Sequence, residues 1–80
     1  MSHRLYSTCL HWSGKHGFAK LHGVMVVLQA APMIAGQAVT AIDYIPEVGM
    51  RTITPAGGAA RDMQPGEVAD ADALLWAATK

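Results

Sequence analysis

The chain has few charged side chains and no excess charge of either sign. Six Lys or Arg and six Asp or Glu residues make up 15% of its 80 residues, and the formal net charge is zero. A typical soluble domain is about 25% charged. Disorder is not expected either, because 51% of the chain is hydrophobic. We expect one small folded domain over residues 1–80, with a largely neutral surface of the kind that a partner or a second copy covers.

Cysteine is also scarce, and no segment resembles a membrane span. Cys9 is the only cysteine, so an intrachain disulfide is impossible and a reducing, cytoplasmic location is expected. The apolar stretch at residues 23–38 is interrupted by Gln29 and Pro32 and is too short to cross a membrane. It also begins too far along the chain for a secretory leader. We therefore expect no membrane association.

Carboxylates are absent from the first half of the chain. Residues 1–42 carry three basic residues and no acidic one, whereas residues 43–80 carry three basic and six acidic residues. Two interpretations are open. In the first, folding intermixes the charges of the two halves. In the second, the domain has one basic and one acidic face, which would suit head-to-tail self-association or a charged partner.

Four segments have the composition of β-strands. They are residues 4–12, 24–30, 37–45 and 50–54, which are rich in aromatic or β-branched side chains and are bounded by glycine or proline. The continuous apolar run at 24–30 indicates a central strand covered on both faces. A helix over residues 18–31 remains an alternative, because the larger apolar residues there also recur at helical spacing.

The clearest element is a C-terminal helix over residues 64–79. Gln64 is expected as its N-cap, Pro65 suits the first helical position, and Glu67 can accept a hydrogen bond from the cap backbone. One apolar stripe should pack on the sheet: Val68, Ala71, Leu75 and Ala78, with Leu74 beside it. Residues 55–62 form a Gly/Ala connector between this helix and a sheet region at 4–54. The fold class predicted is α+β, a small antiparallel meander of about four strands with the helix packed on one face.

Residues 11–23, HWSGKHGFAKLHG, contain three histidines, two lysines and three glycines. This composition predicts a solvated hairpin loop, at best a contact loop. Structural zinc sites use paired ligands such as C-x2-C, and no such pair is present, so we expect neither a metal nor another cofactor. The protein-contact candidates are residues of this stretch and one helix tryptophan: Trp12, Lys15, His16, Lys20, His22 and Trp76.

No motif of an enzyme is present. SGKHG lacks the G-x4-G-K-[ST] frame of a P-loop, and the carboxylates lie in a turn or at the helix start, where capping explains them. We therefore predict no catalytic residue. Only three basic residues lie in the positive half, so a nucleic-acid-binding module is a weak alternative. The expected function is binding, by the surface of a small non-catalytic protein.

An initiator methionine, a length of 80 residues, an alanine-rich α+β composition and the acidic helix MQPGEVADADALLW together resemble the small orphan proteins of bacteriophages and prophages. Among these, the profile is similar to anti-CRISPR proteins, which block a host CRISPR–Cas complex by binding it. The resemblance implies an inhibitor in the host cytoplasm that occupies a Cas effector through mixed polar and apolar contacts. Many anti-CRISPR proteins are acidic and imitate DNA, whereas this chain is neutral. The alternative is a small structural or accessory protein of phage assembly.

Self-association is expected as well. A chain with so little charge leaves neutral surface to cover, and a four-stranded meander leaves two sheet edges open. A symmetric dimer is the commonest closed arrangement, and Trp12 or Trp76 would anchor it. We therefore predict a homodimer.

Overall fold

The computed structural model describes residues 5–80, which form one antiparallel sheet and one α-helix. In chain order the elements are β1 (Cys9–Ser13), β2 (His16–Leu21), β3 (Val24–Val27), β4 (Met33–Ile34), β5 (Gln37–Ile45), β6 (Met50–Pro55), β7 (Arg61–Asp62) and α1 (Pro65–Ala78). A 3-10 turn at Pro46–Val48 joins β5 to β6. The α+β class is confirmed, but the sheet has seven strands instead of about four.

The strands do not form the single meander that was expected. Their order across the sheet is β3-β2-β1-β5-β6-β7, and β4 pairs only with the start of β5. The first three strands form one meander, and β5, β6 and β7 form a second. The two meanders meet where β5 pairs with β1, so residues 28–36 carry the chain from β3 back past β2 and β1. This crossing leaves β3 at one edge of the sheet and β7 at the other.

Residues 11–23 are mostly strand, so the predicted solvated loop is wrong. Two tight turns join β1 to β2 and β2 to β3, with Gly14 and Lys15 in the first and His22 and Gly23 in the second. The φ angles of His22 and Gly23 are 49° and 86°, which suit a two-residue hairpin because this left-handed backbone matches the twist of the flanking strands. Two of the three glycines that suggested a loop occupy these turns.

The third glycine lies inside β2, where it makes room for a tryptophan. Gly17 is paired with Trp12 of β1. A Cβ atom at Gly17 would stand 2.2 Å from the His11 carbonyl oxygen and 2.6 Å from Trp12 Cε3, so no other residue fits without a shift of the backbone. Ala19, the next residue on the same face, is fully buried. Because β2 turns its small residues inward, it lacks the alternation of large apolar side chains that usually identifies a strand.

The first strand is shorter than the predicted 4–12. The first residue of that range lies outside the described chain, and β1 begins at Cys9. The backbone just before it is bound elsewhere, since the N–H groups of Ser7 and Thr8 both donate to Glu47 Oε1, at 2.7 and 2.9 Å. These hydrogen bonds hold the segment against the turn after β5.

The apolar run at 24–30 forms an edge strand, although a central one was predicted. Only residues 24–27 pair, and they pair with β2 alone. Three of these four residues are exposed, so the run is not covered on both faces. The helix alternative for residues 18–31 is also wrong, because the range contains the end of β2, all of β3 and the start of a connection.

The core lies between one face of the sheet and α1. Its buried residues come from five strands and the helix: Leu10, Trp12, Ala19, Ile34, Val39, Ile42, Tyr44, Ile53, Ala71 and Leu75. The helix packs on β2, β1 and β4 through the predicted stripe. The Tyr44 hydroxyl donates to Asp72 Oδ1 at 2.5 Å, and burial together with this bond raises the pKa of Tyr44 to about 12. Within residues 5–80, no helix is long and apolar enough to cross a membrane.

The C-terminal part agrees with most of the predicted boundaries. The strand predicted at 37–45 is β5, and the helix begins at Pro65 with Gln64 as its N-cap. The connector predicted at 55–62 is shorter, because its last two residues pair with β6 as β7. This pairing places the helix start beside the far edge of the sheet.

Candidate protein-interaction surface

Large apolar side chains are exposed along β3. Val24, Met25 and Val27 have 54%, 42% and 61% of their surface exposed. On the neighbouring helix, Trp76 is 60% exposed. A run of apolar residues on an open sheet edge is unusual in a monomer, because such an edge readily pairs with another chain. We call these four residues the apolar edge.

The backbone of β3 offers unpaired hydrogen-bonding groups on its outer side. In an antiparallel pair, successive residues direct their N–H and C=O groups alternately toward and away from the partner strand. Leu28 N–H donates to the Gly17 carbonyl at 3.0 Å, so Val24, Val26 and Leu28 face β2. The backbone groups of Met25 and Val27 therefore point outward, where no described strand pairs with them.

Trp76 is connected to the edge through the turn that begins β3. Its indole ring and the His22 imidazole form an edge-to-face contact, with ring centroids 6.0 Å apart and planes inclined by 69°. His22 is exposed and immediately precedes Gly23 in the β2–β3 turn. This contact places an exposed aromatic residue of the helix beside one end of the exposed strand.

A shallow groove of about 460 Å³ borders the edge on the sheet face opposite the helix. Its lining is mostly apolar and includes Met25, Val27 and Phe18, with His11 and His16. His11 is held in place by Asp43, whose Oδ1 lies 2.8 Å from its Nδ1, and its ring lies 5.7 Å from that of Phe18. Because Met25 and Val27 line both the groove and the edge, the apolar surface continues around the side of the sheet.

The opposite edge is closed by charged groups. Arg61 of β7 donates two hydrogen bonds of 2.7 Å to the Glu67 carboxylate. The carboxylate also accepts from Gln64 N–H at 2.8 Å and from Gln37 Nε2 at 2.5 Å. The Arg61 bonds, followed by the Gln64 N–H, lower the pKa of Glu67 to about 2. Glu67 thus joins the helix start, β7 and the start of β5. The hydrogen bond from the Gln64 N–H confirms the contact with the cap backbone that the sequence predicts.

The six residues predicted as protein contacts differ in their exposure to solvent. Trp12 is only 3% exposed and belongs to the core, so its prediction as a surface contact is wrong: Gly17 lets its ring pack inside. Lys15, His16, His22 and Trp76 are exposed, and Lys20 is half-buried. Of these, only His22 and Trp76 are in contact with each other through an aromatic pair. Contact roles for the accessible residues stay predictions.

Sequence reasoning missed the three β3 residues of the apolar edge. These residues belong to the apolar run at 24–30, which predicts a buried strand because apolar runs are usually covered on both faces. The signal that identifies the edge is the tight turn His22–Gly23 just before them, which fixes β2 as one neighbour. No similar turn follows on the other side, since the chain continues through Gln29 and Pro32 without pairing beside β3.

The described residues do not form an obvious reactive centre. Among residues 5–80, no three His, Cys, Asp or Glu side chains are grouped closely enough to hold a metal ion. Cys9 is fully buried, and burial raises the pKa of its thiol, which disfavours the reactive thiolate. The features of β3 and Trp76 described above, outward-facing backbone groups and exposed apolar side chains, are suited to contact with another chain.

Comparison with known proteins gives no relative. No family model matches the chain, and no curated protein or solved structure matches it significantly.

Proposed function

We propose that this protein is a non-catalytic binding module that accepts an extended protein segment at the β3 edge. The observation that carries the proposal is the outward-facing backbone of Met25 and Val27 on an exposed apolar strand. In strand addition of this kind, main-chain hydrogen bonds supply affinity, and side chains on alternate faces supply specificity. Here Met25 and Val27 would contact the added strand beside the groove, and Val24 would contact it on the helix side.

The charge distribution favours a protein over a nucleic acid at this surface. Residues 21–42, which contain the whole edge strand, include no Asp, Glu, Lys or Arg. Lys15 lies in the turn before β2, Lys20 lies near the other end of that strand, and Arg61 is bound to Glu67. Nucleic-acid binding needs several basic groups along one backbone track, and the edge supplies none.

The specific form that we propose is an inhibitor that binds a host protein complex, as the resemblance to anti-CRISPR proteins implies. An exposed strand edge supports this form, because a small protein with no deep cleft can still block a complex by occupying one of its surfaces. Apolar contacts at β3 and polar contacts from the accessible candidates Lys15, His16, Lys20 and His22 would supply the mixed interface.

Phage plating on bacterial hosts with active CRISPR–Cas immunity tests this function. Expression of the protein should restore plaques in a panel of hosts that each carry one CRISPR–Cas type. Val27→Lys places a charge on the edge and should lower the restored plaque count by about tenfold or more, since an unpaired charge at such an interface costs several kcal/mol. The matched control is Val48→Lys, because Val48 is 50% exposed and lies in the 3-10 turn after β5.

Two results would contradict the proposal. If the wild-type protein restores plaques in no host of the panel, the inhibitor function is wrong. If Val27→Lys and Val48→Lys inhibit as well as the wild type, the β3 edge is not the binding surface.

A further inference from the structure

We infer that the β3 edge of one molecule pairs with the β3 edge of a second copy, so that two sheets join into one continuous sheet. This inference rests on the proposed function, because it names the partner of the same edge in the free protein. A host segment that binds this edge would then displace the second copy.

The absence of charge makes the edge complementary to itself. No Asp, Glu, Lys or Arg occurs between residues 21 and 42, so two identical edges meet without like charges opposite each other. Natural edge strands that avoid pairing carry lysine, proline or a bulge, and Val24–Val27 has none of these. Among possible strands, an uncharged apolar one is the best complement, and a second β3 is such a strand.

The alternation of the backbone permits a symmetric antiparallel pairing. A two-fold axis at Val26 would place Met25 opposite the partner's Val27, and both residues direct their N–H and C=O groups outward. Such a pair exchanges both backbone hydrogen bonds. The same axis places Val24 opposite the partner's Leu28, and these residues face their own β2 strands, as the ladder requires.

The same symmetry covers the exposed side chains. A two-fold axis perpendicular to the sheet keeps both helices on one face and both grooves on the other. Met25 and Val27 of the two copies would then be adjacent on the groove face. On the helix face, the partner's Leu28 would lie opposite Val24, two residues from His22, whose ring contacts Trp76.

The asymmetry between the two edges limits the assembly to a dimer. β7 has only two residues, and its Arg61 side chain is bound to Glu67 of the helix. Each copy therefore has one edge of useful length, and self-pairing of that edge is closed by the two-fold axis. Pairing between unlike edges would instead extend into a filament.

Sedimentation measurements over a concentration series test the inference. We expect the wild-type protein to be a dimer whose dissociation constant rises by about tenfold or more in Val27→Lys, because the substitution places two like charges in the interface. Val48→Lys should remain as dimeric as the wild type. Circular dichroism of each variant shows whether it is folded.

Cysteine cross-linking tests the register. Cross-strand neighbours in a non-hydrogen-bonded pair have Cα atoms about 4.5 Å apart, within the range of a disulfide. Val26→Cys should therefore give a covalent dimer under mild oxidation, whereas the wild type should not, because its Cys9 is fully buried.

Three results would overturn the inference: a wild-type monomer at all concentrations, a dimer that survives Val27→Lys, or a dimer that Val26→Cys does not cross-link. A monomer whose inhibition is nevertheless lost in Val27→Lys would show that the edge binds another protein only. The proposed function would then stand without self-pairing.

Discussion

The two edge strands of the sheet differ in length, in composition and in the contacts of their side chains. β7 is a two-residue strand of charged residues, and its Arg61 is bound by the first turn of the helix. β3 is a four-residue strand of Val and Met, and three of its four residues are exposed. A short edge whose side chains are engaged does not readily pair with another chain, whereas an apolar, unpaired edge does. In this molecule the helix start closes one edge and leaves the other accessible.

The largest expected effect contrasts two adjacent helix residues. Leu75 is 1% exposed and packs in the core, whereas Trp76 belongs to the apolar edge. Leu75→Ala should lower the free energy of unfolding by about 2–5 kcal/mol, because it leaves a cavity. Trp76→Ala should change it by less than about 1 kcal/mol. Urea unfolding followed by circular dichroism measures both, and equal losses would show that Trp76 is also structural.

A smaller effect is expected where the closed edge is joined to the helix. Glu67→Gln keeps the shape of the side chain but removes the charge that Arg61 binds. We expect a loss of about 1–3 kcal/mol, the usual range for a buried charged hydrogen bond. The control is Asp62→Asn, at an exposed position of β7 next to Arg61, which should leave the free energy of unfolding nearly unchanged. If Glu67→Gln were also neutral, the β7 edge would be held by its backbone pairing alone.

The smallest effect is a pH dependence that arises at the closed edge. The bonds from Arg61 and Gln64 lower the pKa of Glu67 from its ordinary 4.5 to about 2. Because the folded-state pKa is the lower one, the carboxylate stabilises the fold fully above about pH 4.5. This contribution is lost as the pH falls from about 4.5 toward 2. The free energy of unfolding should therefore decrease less steeply with falling pH in Glu67→Gln than in the wild type. Equal slopes in the two proteins would contradict the lowered pKa of Glu67.

The sequence was informative where one local rule decides the structure. Pro65 and Glu67 predicted the helix start correctly, because capping depends on neighbours along the chain. Pro46 likewise marked the end of β5. In both cases the deciding residues lie within a few positions of the boundary that they set.

The same reasoning failed where the structure depends on distant residues. The content of histidine, lysine and glycine in residues 11–23 predicts a loop, whereas these residues are mostly strand. The glycine inside β2, Gly17, is explained only by Trp12 on the neighbouring strand. The apolar run at 24–30 predicts a central strand because such runs are usually buried, whereas β3 lies at an edge. Its edge position follows from the pairing of β5 with β1, which no local pattern records. The candidate binding surface was therefore missed together with the topology.

The order of the strands has a consequence for synthesis on the ribosome. The strands up to Val27 are joined by two short turns and pair with one another, so they can close quickly, before β5, the distant partner of β1, has been made. The helix that covers their inner face is the last element to emerge. Until Leu75 arrives, the nascent chain exposes both the side of Leu10 that will be buried and the strand edge that stays open. We expect this interval to be the one in which the growing chain depends most on chaperones, and a prematurely terminated product to aggregate.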